Sequence, residues 1–166
     1  MQLTHYTSKF KPQTFPIVVV ADNVTNASNI GSLFRICDAF GVEKLVLCGE
    51  NIELNRKTKK TSRATENVVP FNIEPTAKNS IEKLKHNGYF ILALEISTTS
   101  KAIHTFSFLK HQPIALIVGD ENFGISNTIL KLANTVVHID MFGQNSSMNV
   151  AQATNIALYE ITKQLR

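Results

Sequence analysis

Short, continuous apolar runs alternate along this chain with segments whose apolar residues recur every three or four positions. Phe15 to Ala21 (FPIVVVA) reads as a buried strand. Ile30, Leu33, Phe34 and Cys37 then fall at i, i+3, i+4 and i+7, which predicts a helix over Ala27 to Phe40 that Gly41 can end. The alternation continues with a strand at Lys44 to Cys48, a possible strand at Asn67 to Ile73, and a helix at Thr76 to Asn87 closed by Gly88. Strands at Tyr89 to Ile96 and Pro113 to Val118 follow, then a short helix at Ser126 to Ala133 and a strand at Thr135 to Ile139. A last helix, Met148 to Leu165, carries Val150, Ala153, Ala157, Leu158, Ile161 and Leu165 on one stripe. Strands and helices in alternation predict an α/β fold, a parallel sheet with helices on both faces. No repeat and no linker divides the 166 residues, so one domain over 1–166 is expected.

Composition narrows the class further. Hydrophobic residues make up 43% and charged residues 18%, which excludes a disordered or fibrous chain. Seventeen basic against thirteen acidic residues leave a net charge of +4, which permits a nucleic-acid partner without requiring one. No apolar run approaches the roughly 18 residues of a membrane span. The opening Met1-Gln2-Leu3-Thr4-His5 lacks a signal-peptide layout, so a cytoplasmic protein is expected. Cys37 and Cys48 form no C-x-x-C pair and read as small buried hydrophobes; no metal is expected.

Ligands of parallel sheets gather beyond the C-terminal strand ends. That rule singles out Asp22–Ser32, Glu95–Thr99, Gly119–Gly124 and Met141–Asn149, all rich in Asn, Gly, Ser and charge. The first carries Asn23, Asn26, Asn29, Gly31 and then Arg35. Helix capping by Asn26 or Ser28 explains part of it, and Gly31 marks a point where a backbone or a ligand comes close. The segment has one glycine where the dinucleotide fingerprint needs three, which argues against a nicotinamide enzyme. The third places Asp120 and Glu121 in a loop with two glycines and an apolar Phe123. The fourth runs from a strand into the last helix, where Ser147 can serve as N-cap; no G-x-S-x-G elbow supports a serine nucleophile. Arg56, Lys57, Lys59, Lys60 and Arg63 crowd one loop-like stretch, readable as a solvated charged loop or as a phosphate-contacting patch that Lys9 and Lys11 would extend.

In this order and spacing the segments resemble the SpoU family of the SPOUT RNA methyltransferases. Asn29, Gly31, Arg35 and Ala39-Phe40-Gly41 match its first motif. Gly119, Glu121, Gly124, Ile125 and Ser126 match the second, and Ile139, Met141, Gly143, Ser147, Asn149 and Val150 the third. The chain departs from the pattern at Asp140, where proline is usual, at Met148, where leucine is usual, at Asp120 for a common asparagine, and at Asn155 for a small residue.

The resemblance implies a C-terminal deep trefoil knot, which topology rules alone would argue against. It implies S-adenosyl-L-methionine as cofactor, surrounded by Leu94, Gly119, Ile139, Met141, Ser147, Met148 and Asn149. It also implies methyl transfer to a ribose 2′-hydroxyl of tRNA or rRNA, in a homodimer with active sites at the subunit interface. Arg35, Asn29, Glu121, Ser147 and Asn149 would form the catalytic set, with Arg35 binding phosphate and Glu121 orienting Arg35 or Asn29. The separate N-terminal RNA-binding domain of many relatives is expected to be absent, leaving RNA selection to surface loops and the second subunit. A non-catalytic RNA-binding member of the same fold is the competing expectation.

Overall fold

The computed structural model describes residues 7, 8 and 10–166. Lys9 and the opening residues used for the leader reading lie outside them. Seven strands are described: β1 (Phe15–Asp22), β2 (Val42–Cys48), β3 (Phe71–Glu74), β4 (Phe90–Leu94), β5 (Lys101–Ala102), β6 (Ile114–Gly119) and β7 (Thr135–His138). They form one sheet in the order β3-β2-β1-β6-β4-β7-β5, and every strand pairing in it is parallel. The helices are α1 (Ala27–Ala39), α2 (Arg56–Ser62), α3 (Ala77–His86), α4 (Asn127–Leu130) and α5 (Val150–Leu165).

Strand side chains alternate between two faces, and each face has its own core. Ile17, Val19 and Ala21 of β1 pack with Ile30, Leu33, Phe34 and Cys37 of α1 and with Ala157, Leu158 and Ile161 of α5. Val18 and Val20 point the other way, towards Ala77 and Ile81 of α3 and Ile129 of α4. This is the expected α/β architecture. Cys37 and Cys48 are buried and free, as their apolar surroundings predict. Burial pushes the Cys48 thiol up to about 12, leaving it un-ionised at neutral pH.

Several elements differ from the sequence reading, among them β3, which begins at Phe71 and not at Asn67, behind a helical turn over Thr65–Asn67. The stretch with five cations is a helix, α2, rather than a loop. Asn55 caps it by accepting a hydrogen bond from the Thr58 N–H, and its buried face consists of hydroxyl residues, Thr58 and Ser62. That face seats on α1 at Gly31, where an added Cβ would stand 2.6 Å from the Thr58 carbonyl oxygen and 2.6 Å from the Thr61 Cβ. Gly31 therefore serves a close approach by backbone. Strand β5 and the single helical turn Ile103–Thr105 escaped the reading because two residues carry no periodicity.

Candidate active site

The C-terminal ends of β4, β6 and β7 open onto a cavity of about 590 Å³. Leu94 and Glu95 form one wall, Gly119 and Glu121 to Ile125 a second, and His138, Ile139 and Met141 a third; Ser147, Met148 and Val150 close it. Six of the seven residues assigned to the cofactor line this cavity: Leu94, Gly119, Ile139, Met141, Ser147 and Met148. The mixed lining, with apolar side chains between backbone and side-chain polar groups, suits a molecule with an aromatic end and a polar end. Gly119 is required there by contact. A Cβ on it would stand 2.5 Å from the Gly124 carbonyl carbon and 2.6 Å from the Ile125 nitrogen, because the 120–124 loop folds back over the strand end.

The seventh residue, Asn149, is placed differently. It, and not Ser147, caps α5: its Oδ1 accepts from the Ala151 N–H at 3.0 Å and the Gln152 N–H at 3.3 Å. Its amide nitrogen donates to Asn29 Oδ1 at 3.0 Å. Asn29, in the first turn of α1, donates in turn to Glu121 Oε1. Three residues from three distant segments thus form one directed relay, Asn149 to Asn29 to Glu121, at the edge of the cavity. The capping bonds orient the Asn149 amide, and the carboxylate at the far end accepts only, so the direction of each hydrogen bond in the relay is assigned.

Asp120 and Glu121 are adjacent but have separate jobs. Asp120 Oδ1 accepts from the Asn122 and Phe123 N–H groups at 2.8 and 2.9 Å and shapes the loop. Asp120 also faces Asp22. Burial first, and Asp120 second, push the Asp22 carboxyl above its usual range. Among the described residues no group of three or more His, Cys, Asp or Glu is arranged to hold a metal. Ser147 is exposed, with its N–H and hydroxyl both directed to Asn145 Oδ1.

Arg35 stands apart from these groups. Six residues beyond Asn29, it lies about 120° around α1 and about 9 Å along its axis. It is exposed, and its side chain makes no hydrogen bond or ion pair among the described residues. Arg56, Lys57, Lys59, Lys60 and Arg63 are all exposed, on and just beyond α2. Gly31 holds that helix against the α1 turn that follows Asn29, so the cations sit beside the relay's own helix.

Sequence reasoning did not single out Glu95 or His138. Glu95 accepts from the Ile125 N–H at 2.9 Å and the Ile96 N–H at 2.9 Å, and so joins two cavity walls. Its segment, Glu95–Thr99, had been flagged by position alone. His138 lies at the end of β7 with nothing beside it in sequence to mark it.

A polar relay and a mixed cavity thus meet at the C-terminal edge of a parallel α/β sheet, the place where such sheets bind their ligands. Residues 16–159 match the SpoU rRNA Methylase family, and the chain belongs to it. It is 34% identical over 151 residues to a tRNA (guanosine(18)-2'-O)-methyltransferase of Aquifex aeolicus, a match covering 89% of this chain and 69% of that enzyme. It is 31% identical over 152 residues to the Yersinia pestis 23S rRNA (guanosine-2'-O-)-methyltransferase RlmB, covering 90% of this chain and 60% of that one. The crystal structure of an A. aeolicus TrmH/SpoU tRNA modifying enzyme matches with a TM-score of 0.81 at 29% identity, over 92% of this chain and 77% of that one. An AdoMet-bound rRNA methyltransferase from Sinorhizobium meliloti gives 0.85 at 25% identity, over 95% of this chain and 59% of that one. The chain therefore spans about three-fifths of the Yersinia and Sinorhizobium proteins.

Proposed function

We propose that this protein transfers a methyl group from S-adenosyl-L-methionine to a ribose 2′-hydroxyl of RNA. The Asn149–Asn29–Glu121 relay at the edge of the cavity is the observation that carries the reading, because a protein that only bound RNA would have no use for it. When bound, the cofactor supplies a methyl group on a positively charged sulfur, already activated for transfer. Leu94, Gly119, Ile139, Met141, Ser147 and Met148 would hold it. The chain's own residues then have two tasks: to align the 2′-oxygen, and to favour loss of its proton. Ser147 and the relay position the ribose. Arg35 binds the neighbouring phosphate and stabilises the developing alkoxide, a task suited to a guanidinium that stays protonated.

The protein acts as a homodimer whose active sites lie between subunits. Two observations support this: Arg35 does not line the cavity of its own chain, and Ile156 and Tyr159 stand exposed on α5. The return of α5 from the β7 edge to pack on α1 supports the threaded C-terminal knot. The substrate is tRNA or rRNA, both being substrates named among the relatives, and the cations of α2 contact its phosphates. The absence of any helix long and apolar enough to cross a membrane among the described residues agrees with a cytoplasmic place of work.

The test is mass spectrometry of nucleosides after incubation with cofactor and unmodified tRNA or rRNA transcripts. A new 2′-O-methylnucleoside names the reaction, the RNA class and the base. Arg35→Lys keeps the charge and loses the fork, and a fall in turnover of about 100-fold is expected from misplaced phosphate and ribose. Near-normal turnover would refute the geometric role. Failure to bind cofactor at all would leave an RNA-binding member of the fold.

A further inference from the structure

We infer that Phe123 is a stacking platform for the base of the nucleotide being methylated, and that a second cavity beside it receives that base. The inference rests on the methyl-transfer reading above. The second cavity, of about 390 Å³, lies beyond the C-terminal ends of β1, β2, β3 and β6, and Asp22, Asn23, Thr76 and Asp120 line part of it. Phe123 and Gly124 line both this cavity and the cofactor cavity, so the ring stands on the ridge where the two meet. Phe123 is 88% exposed, which leaves a large apolar ring in water. Phe10 and Phe142 are as exposed, yet they line neither cavity.

The loop holds this ring out by design of its backbone. Asp120 Oδ1 accepts from the Phe123 N–H, and the Asp120 carbonyl accepts from the Gly124 N–H at 2.9 Å, which closes a tight turn. Gly124 has a φ of +64°, and a Cβ there would strike the Glu95 carboxylate. The next N–H, of Ile125, is anchored on Glu95 Oε2 at 2.9 Å. Phe123 is therefore tied down on both sides, and a ring fixed in this way binds a partner with little further loss of freedom.

The connectivity of a nucleotide says what the ring meets. The base hangs from C1′, the carbon next to the one that carries the reacting oxygen. Glu121, the end of the relay that positions the ribose, comes two residues before Phe123. With the cofactor in its own cavity and the ribose at the relay, the second cavity offers the base a place across the ridge. Its size is that of a small-ligand pocket. Aromatic faces are the common platform for unstacked RNA bases, whose edges are then hydrogen-bonded from the side. The carboxylates of Asp22 and Asp120 accept N–H groups of a base edge and repel phosphate, so this lining suits a base and not the backbone. Phosphates are left to the cations of α2.

The test uses the tRNA or rRNA transcript that the wild-type protein methylates, with its Kd read by fluorescence anisotropy. Phe123→Ala should raise that Kd about 10–100-fold, the range one base–aromatic stack supplies. Phe123→Trp should restore it. Because the chain has no tryptophan, the new indole is the sole fluorophore of its kind, and RNA should quench it. The deciding arm is the same transcript with the base removed from the methylated nucleotide and the ribose left intact. Wild type should bind it about as weakly as Phe123→Ala binds the full transcript, and Phe123→Ala should weaken it no further. Two losses that multiply would show that the ring does not touch this base, and would overturn the stacking site while leaving the transfer reading intact. An unchanged RNA Kd with weakened self-association of Phe123→Ala in sedimentation would overturn it too, and assign the ring to a second copy of the chain. No methyl transfer by the wild type to either RNA would overturn the transfer reading, and the stacking site with it.

Discussion

Asn149 does two jobs with one amide: its oxygen caps α5 and its nitrogen holds Asn29. The two can be separated. Aspartate caps a helix about as well as asparagine but has no hydrogen to give Asn29. Asn149→Asp should therefore keep stability within about 0.5 kcal/mol of wild type while lowering methyl transfer about 100-fold, as read by denaturation and by methyl incorporation. A matching loss of both would mean that the residue acts through the helix alone. Asp22 makes the second prediction at this scale. Its carboxyl is pushed up in the folded state, so the folded protein holds its proton more tightly than the unfolded chain does. The penalty is absent below the ordinary carboxylate range near about pH 4 and complete once pH passes the raised value. Asp22→Asn should be more stable than the parent at neutral pH, and urea midpoints should converge as pH falls. The sequence showed Asn29, Glu121 and Asn149 as notable residues but not as one relay, because 92 and 120 positions separate the bonded pairs.

The elements that could be read in advance are those with a strong apolar period. Ile30, Leu33, Phe34 and Cys37 announce α1, and the apolar runs of β1, β4 and β6 announce the sheet. Helix α2 gave no such sign. Its inward face is Thr58, Thr61 and Ser62, seated on a glycine where a hydrophobic stripe would normally lie. The contact is legible only once α1 and α2 are placed side by side. Gly31→Ala tests it. The new methyl group meets backbone at 2.6 Å, which cannot yield as a side-chain end can. A destabilisation of about 1–3 kcal/mol is expected from overpacking, even after the helix gains up to about 1 kcal/mol of intrinsic propensity. Thermal or urea unfolding checks it, and a more stable variant would show that α2 is free to slide.

For the whole molecule, a net charge of +4 is too small to draw RNA by itself, so the placing of charge matters more than its sum. Five exposed cations on and just beyond one short helix give it a direction. If Lys59 and Lys60 each contact a phosphate, replacing both with Gln should flatten the slope of log affinity against log salt by about 1.4–1.8, measured with a single-stranded or duplex transcript by fluorescence anisotropy. An unchanged slope would assign the helix to ordinary solvation. The cavity was located in advance by the rule for strand ends. The contact of His138 with Ser100 was not, because 38 positions separate the two and the pairing of β5 with β7 brings them together.

The double role of Asn149 also ties the completion of the site to the docking of one helix. The donor that completes the site sits at the threshold of the last helix, and its orientation depends on N–H groups of that helix's first turn. A chain lacking α5 would lose the oriented amide for Asn29 together with the buried Ala157, Leu158 and Ile161 that cover one face of the sheet. Completion of the site thus waits on the docking of α5. The relay and the fold are therefore gained or lost together, and no folded form of the site lacks its donor.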